Sequence, residues 1–386
     1  MKTKKLFLGL FAVAAIMFIS SCEQNDIPDD NNDYGILPER FKVDVPNSLS
    51  NEQLKSATLK SAEGDTLSGN EIYEHLNFFI AVGEGAADLV EAIIRGIRIH
   101  NINRIISLTY VSEDDNRTKN LVVESAADFK GEVWDYMLTI TDADSKTNTD
   151  GGIGMQVFWN EDPIKGIAIL KPYNIDRVEN ANAGDAMFSI EYSEAGTDSY
   201  DAYMIVEISD FPMPEAEPFA INSMKMFVGK KGDIIDVYGN SNHPNAQFNS
   251  YSEEPTGFNW AFVASGHDDK DIAVAEVGLP ASTADISGRK AILEDNSIKN
   301  VLSAEITNYV VAYYAELEIT LNPTEVAIYI APYLQNAEAP GYFDSEGFIQ
   351  GGTAPNSDYT DYELRIKSLT PYNPSVINQL SISFKN

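Results

Sequence analysis

The sequence predicts a mainly β protein of the α+β class: a curved antiparallel meander of about eleven strands, with a long helix before it and a second helix after it. Three observations lead there. From Arg104 to about residue 280 the apolar residues recur with period two in short runs. Each run is parted from the next by a stretch rich in Gly, Asp or Asn, the residues that turns require. On both sides of this region the spacing returns to the threes and fours of a helix.

The chain begins before any of these elements. In "MKTKKLFLGLFAVAAIMFIS" the cations Lys2, Lys4 and Lys5 precede an apolar run from Leu6 to Ile19. That run is shorter than the roughly 20 residues that span a bilayer, and it reads as the core of a signal peptide covering residues 1–21. It ends on Ile19-Ser20-Ser21-Cys22, which holds the only cysteine of the chain. These four residues resemble the bacterial lipobox, and the resemblance implies that Cys22 is acylated after the leader is removed. Several acyl chains on one residue anchor a protein firmly, at about 0.8 kcal/mol for each buried methylene. An ordinary secretory signal beside an incidental cysteine is the alternative.

After Cys22, "CEQNDIPDDNND" carries Glu23, Asp26, Asp29, Asp30 and Asp33 without a base. It resembles the acidic tethers of surface-exposed lipoproteins of Bacteroidota, which implies an outer-membrane protein facing the cell exterior. A plain solvated linker on a protein facing the periplasm is the alternative. Residues 22–66 are read as anchor and tether, although the stretch from Ile36 to Val45 has apolar residues enough to pack. The remainder, 67–386, is read as one globular domain, with a possible subdivision near 280.

Composition narrows the partners. The net charge is −32, and becomes −35 once Lys2, Lys4 and Lys5 leave with the signal. A chain this acidic repels nucleic acid and anionic lipid heads. With Cys22 acylated no disulfide is available, so stability rests on the core.

The first helix opens at Ser68, with Glu71 three residues on as a capping box. Ile72, Leu76, Phe79, Leu89, Ile93 and Ile97 carry the helical spacing to about Ile99, as one helix or two. Inside it Gly83 and Gly85 imitate a dinucleotide fingerprint. The third small position falls on Asp88, whose charge would repel a pyrophosphate, and the upstream spacing is helical.

The strands follow in hairpin pairs. "RIISLTYVS" and "NLVVESA" flank "EDDNRTK", "GEVWDYMLTI" and "IGMQVFW" flank "TDADSKTNTDGG", and "GIAILKP" returns across "NEDPIK". "AMFSIEYS" pairs with "YDAYMIVEIS", "SMKMFVG" with "DIIDVYG", and "FNWAFVAS" with "DIAVAEVGL". Several runs are apolar on both faces: Trp134, Tyr136, Leu138 and Ile140 oppose Val133 and Met137. Such strands need cover on one face and shelter on the other, which the long helix can supply. Ile298, Leu302, Ile306 and Val310 then space the second helix. The tail offers a Gly- and Pro-rich loop holding Tyr342 and Phe343, then two possible strands, "YELRIKSL" and "NQLSISF".

In architecture alone this arrangement resembles the half-barrel lipoprotein carriers of the LolA and LppX kind, which hold acyl chains between sheet and helix. A sheet simply filled by its helix is the alternative.

Catalytic signals are sparse. His75, His100, His243 and His267 form no metal pair at i and i+4, and no G-x-S-x-G elbow occurs. Asp142, Asp144, Asn148 and Asp150 share a loop that could wrap calcium, but Lys146 sits at the fifth place and an ordinary hairpin loop explains the run. "HDDKD" at 267–271 reads the same way. No catalytic residue, metal ligand or cofactor is assigned.

Aromatic residues give the softer candidates. Trp159, Trp260, Tyr342 and Phe343 are singled out as ligand-binding, with Tyr313 and Tyr314 also near loops; a β-rich core uses the same residues. The expectation is a non-catalytic binding protein for an apolar or amphipathic ligand, anchored in the membrane through Cys22. A glycan-binding or adhesion module of a surface complex is the alternative, and a hydrolase comes third.

Overall fold

The computed structural model describes residues 37–38, 40–50, 67–98, 105–213, 219–246 and 257–385. The signal peptide, Cys22, most of the tether and His100 lie outside the described residues. The fold is mainly antiparallel β with helices, and the described residues hold thirteen strands. The chain divides into two compact units. One takes the described residues of 37–44, 83–212 and 381–385, and the other those of 45–82 and 213–380.

A single helix, α1 (Gly69–Arg98), belongs half to each unit. It starts where the sequence places it. The Ser68 amide and hydroxyl donate to Glu71 Oε2 at 2.7 and 2.9 Å, and the Glu71 amide donates back to Ser68 Oγ at 3.4 Å. Arg95 and Arg98 in the last turn suit the negative end of the helix dipole. Gly83 and Gly85 lie inside this helix, so no strand precedes a glycine turn and the dinucleotide imitation fails on structure.

The first unit holds β1 (Ile106–Val111), β2 (Thr118–Phe129), β3 (Glu132–Asp142), β4 (Ile153–Glu161), β5 (Ile164–Leu170), β6 (Met187–Ser193) and β7 (Ala202–Ser209). Each pairs antiparallel with the next in chain order. The β2–β3 turn is Lys130-Gly131, both at positive φ (49° and 81°), the backbone that a two-residue hairpin needs to match strand twist. Strands β4 and β5 are buried along nearly their whole length, so both faces are covered. On one face Phe41 lies against β5, where a Cβ on Gly166 would come within 2.7 Å of its ring. Phe41 and its neighbour are tied to α1, through the Phe41 amide to Glu91 (3.2 Å) and Lys42 Nζ to Asp88 (2.6 Å). On the other face the tail closes over Phe158, Ile167 and Ile169 with Ile382 and Phe384. Gln156 and the backbone of Lys385 exchange two hydrogen bonds there.

The second unit holds β8 (Ser223–Lys231), β9 (Ile234–His243), β10 (Phe258–His267), β11 (Ile272–Gly278), β12 (Gly341–Asp344) and β13 (Gly347–Gly351), again antiparallel in chain order. The first half of α1 covers one face, with Phe79 against Trp260 and His243 and Tyr73 against Phe343 and Phe348. The opposite face carries a π-helical turn (Lys290–Glu294) and α5 (Thr360–Ile366), whose Ile292, Leu293, Tyr362 and Ile366 form one cluster with Ala261, Val263 and Val274. Between these come α3 (Ile298–Glu316) and α4 (Pro323–Ile330); α2 (Pro172–Ile175) and α6 (Pro374–Asn378) are single turns.

The tail departs from the sequence expectation. The Gly- and Pro-rich loop forms β12 and β13, while "YELRIKSL" is α5 and its following turn, and "NQLSISF" forms no strand. As a strand, Tyr362, Leu364 and Ile366 would share a face. The structure instead buries Tyr362, Ile366 and Leu369 and leaves Leu364 exposed, a stripe at helical spacing.

Two glycines test this packing. A Cβ on Gly341 would meet the Tyr73 ring at 2.6 Å, whereas one on Gly96 of α1 meets nothing within 4 Å. Gly341→Ala should lower unfolding free energy by about 1–3 kcal/mol, and Gly96→Ala should raise it by up to about 1 kcal/mol. Thermal melts of both variants check this, and equal effects would contradict the packing of α1 on β12.

Candidate functional site

The four aromatic residues singled out from the sequence all lie in the core. Trp159 stacks on Tyr136 in the first unit at 5.4 Å between centroids. Trp260 makes T-shaped contacts with Phe79 and His75 at 4.8 and 5.9 Å between centroids. Tyr342 donates its hydroxyl to Glu363 at 2.8 Å, and the Phe343 carbonyl accepts from Tyr359 at 3.2 Å. None presents a ring to solvent, so they form no open sugar platform. Only Trp260, Tyr342 and Phe343 share a unit, and the rings around them are side chains of the chain itself.

Trp260 belongs to a buried polar layer under α1. His243 is fully buried, with Nδ1 against the Phe219 carbonyl (2.8 Å) and Nε2 against Ser241 Oγ (2.8 Å). The carbonyl can only accept, so Nδ1 carries the proton and Ser241 donates to Nε2. The pair has the geometry of a nucleophile and its base, but both side chains are sealed beneath α1 and the sheet, so no substrate reaches them. Burial pushes the His75 ring down to about 4, against the opposing charge of Glu71. Burial does the same to His243, also to about 4, helped by His75 and opposed by the Phe219 carbonyl. Ser48 Oγ, Tyr73 Oη, Asn77 Oδ1 and Trp260 Nε1 are buried nearby without a hydrogen-bond partner.

The loop read for calcium is occupied by cations of the chain. Asp142 accepts from Arg117 Nε at 2.7 Å, Arg177 Nε at 2.9 Å and Ser145 Oγ at 3.1 Å. Burial alone would raise its carboxyl, but the Arg117 hydrogen bond and the Lys119 charge hold it below the ordinary range. Buried Lys119 donates to Asp115 (2.8 Å) and to the Asn174 carbonyl (3.1 Å). Asp150 pairs with Lys171 at 2.7 Å. A divalent ion would have to displace these partners, and no metal-ligand group of three occurs among the described residues.

One cleft of about 310 Å³ opens beside α5 in the second unit, lined by Lys231, Asp233, His267, Lys270, Asp361 and Arg365 among others. Arg365 is turned towards Asp236, which accepts its Nε at 2.6 and 2.9 Å. Its charged walls do not suit an acyl chain.

The exposed apolar surface lies elsewhere. Helix α3 buries Ile298, Leu302, Ile306 and Val310, a stripe at i, i+4, i+8 and i+12. From Val311 to Asn336 no residue is buried, although most are apolar. Ile328 is 68% exposed and Leu317 52%, with Val311, Tyr313, Ile319 and Tyr329 also exposed. This hairpin of α3 and α4 is held by local devices. Asn322 accepts from the amides of Thr324 and Glu325, Glu325 accepts from the Asn322 amide at 2.8 Å, and Pro323 opens the helix. Tyr314 donates to the Tyr329 hydroxyl at 2.6 Å across it.

Tyr313 and Tyr314 are thus the aromatic residues of the sequence reading that reach the surface, while Leu317, Ile319, Ile328 and Tyr329 were not singled out. The signal for them was present: Asn322-Pro323-Thr324-Glu325 is a helix start, and no Lys, Arg or His occurs between Asn300 and Leu364. Among the described residues no helix is long and apolar enough to cross a membrane. No family model, curated protein or solved structure matches the chain.

The two neutral histidines tie stability to pH. Unfolded rings take up a proton near 6.5 and the folded ones near 4, so their contribution is complete above 6.5 and is lost as pH falls towards 4. By pH 5 the loss should be on the order of 2 kcal/mol for each ring. Urea unfolding at pH 7 and pH 5 measures it. The same fall in a His75→Asn/His243→Asn double variant would show that other groups cause it.

Proposed function

We propose that the protein is a lipid-anchored outer-membrane protein, held through acyl chains on Cys22 and facing the cell exterior, that acts without catalysis as a binding protein for an apolar or amphipathic partner. The lipobox and the acidic stretch after it support the anchor and the address. The observation that carries the binding role is the α3–α4 hairpin, whose apolar residues stay unburied from Val311 to Asn336. A monomer gains nothing by leaving such a surface in water, so large exposed apolar patches mark interaction sites. The internal lipid cavity of a half-barrel carrier has less support: α1 fills one sheet face of the second unit with Tyr73, His75 and Phe79. The Ser241–His243 pair, sealed from solvent, supports a non-catalytic role.

A glycan ligand is the second reading, favoured by the exposed tyrosines of the hairpin. Sugars stack on flat platforms, however, and Tyr313 and Tyr314 stand at 88° while Tyr314 and Tyr329 tilt by 42°.

The neutral dye Nile red tests the binding role. It should brighten on the full chain, and the Leu317→Ser/Ile328→Ser variant should lose most of that signal with its circular dichroism unchanged. An undiminished signal would place the apolar surface elsewhere and sink the reading, while displacement of the dye by soluble oligosaccharides would favour glycan. Cys22→Ser should abolish labelling by radioactive palmitate and release the protein from the outer-membrane fraction; retention of both would refute the anchor.

A further inference from the structure

We infer that the partner of the α3–α4 hairpin is a protein surface whose apolar groove is edged by lysine or arginine, an inference that rests on the binding role proposed above. Three occupants compete for an exposed apolar hairpin: a bilayer, a second copy of the chain, and another protein. Charge separates them.

The hairpin carries Glu316, Glu318 and Glu325, all exposed, and no cation. Glu316 and Glu318 sit at its tip, where Glu318 turns the chain with φ 59°. Insertion into a bilayer would take those two carboxylates in first, and acids in hydrocarbon are costly. Anionic head groups would repel them before that. A second copy fares no better. Two hairpins packed on each other would bring the glutamates of both copies and no cation into one interface, and like charges across an interface disfavour docking.

A cation-edged protein groove meets every feature present. Ile328, Leu317 and Val311 supply apolar anchors for helix-in-groove docking. Tyr313, Tyr314 and Tyr329 are the residue type enriched at interface hot spots, and their faces accept guanidinium groups. Each glutamate then gains an opposite charge at the rim, which speeds encounter and fixes orientation. The capping box at Asn322 holds α4 in helical form beforehand, so little ordering remains to be done on docking.

The test uses the purified full-length chain and two synthetic helical-hairpin peptides that present the same leucine-lined groove between their two helices, one edged by lysines and one by glutamates. Fluorescence anisotropy at physiological salt should show the lysine peptide binding at least about tenfold more tightly. Leu317→Ser/Ile328→Ser leaves the charge untouched and should weaken that binding about tenfold or more. Glu316→Gln/Glu318→Gln/Glu325→Gln should erase the preference while Nile red still brightens. Equal affinity for both peptides, or binding to neither, overturns the inference. So does lysine-peptide binding that survives Leu317→Ser/Ile328→Ser, which would be diffuse attraction to an acidic chain. Hairpin-dependent sedimentation with phosphatidylcholine vesicles would assign the surface to a bilayer, and hairpin-dependent dimers in sedimentation velocity would assign it to a second copy. Failure of the binding role itself shows differently, as a Nile red signal indifferent to Leu317→Ser/Ile328→Ser.

Discussion

Strands that are apolar on both faces must be covered twice, and this constraint organises each unit. In the first unit β4 and β5 are buried along most of their length. Phe41, tied to α1, takes one face and Ile382 and Phe384 take the other. In the second unit Trp260, His243 and Phe258 look towards α1, while Ala261, Val263 and Val274 look towards α5 and the π-helical turn. The cover on both faces comes from far along the chain. Residues next to the N-terminal stretch and the last residues of the sequence are therefore as much part of the core as the strands. The close approaches at Gly166 and Gly341, where only hydrogen fits under a ring, are the local expression of that double cover.

The same constraint explains what could be read from the sequence. Period-two runs with turn residues between them place β1 to β11, and the Ser68–Glu71 box places the start of α1, because those signals are local. Strands β12 and β13 are short and glycine-rich, and the cover over Gly341 comes from Tyr73, more than 200 residues away. Nothing in "GYFDSEGFIQG" alone carries that information. In sequence α5 reads as a strand because Tyr362, Leu364 and Ile366 satisfy a strand pattern over five residues; Leu369 decides for a helix only once the face it meets is known. Trp159, Trp260, Tyr342 and Phe343 were chosen by residue type, which cannot separate a core ring from a surface one. The hairpin is the converse case. Val326, Ala327, Ile328, Tyr329 and Ile330 run in succession, the composition of a buried helix, and only the structure shows that none of them is buried.

The polar layer beneath α1 costs stability in a way the apolar parts do not. Neutral His75 and His243, and Ser48, Tyr73, Asn77 and Trp260 with an unmatched polar atom each, occupy positions where leucine or phenylalanine would pack without loss. On the other face of β9 and β10, Asn242 accepts from Asn259 (3.0 Å) and Ser282 (2.6 Å), and Asn259 also donates to the Ser282 carbonyl (3.1 Å). That second set is matched. Paired amides fix which residue of β9 faces which residue of β10, since a slip by one position would leave these buried groups without their partners. The matched face specifies register, and the unmatched face lowers the stability that register would otherwise confer.

An exposed apolar hairpin is a hazard for any soluble domain, and the composition of this chain bears on how it is tolerated. With a net charge of −32, two copies approaching by any face meet repulsion before apolar contact. On the hairpin itself the three glutamates do this at close range, where screening by salt is weakest. The acids thereby act in both directions: they keep like from like, and they leave the surface open to a partner of opposite sign. A neutral chain with the same hairpin would associate with itself, whereas one with lysines in these places would be drawn to anionic membranes. Exposure, capping and charge sign together define a surface that is folded before contact and selective in what it contacts.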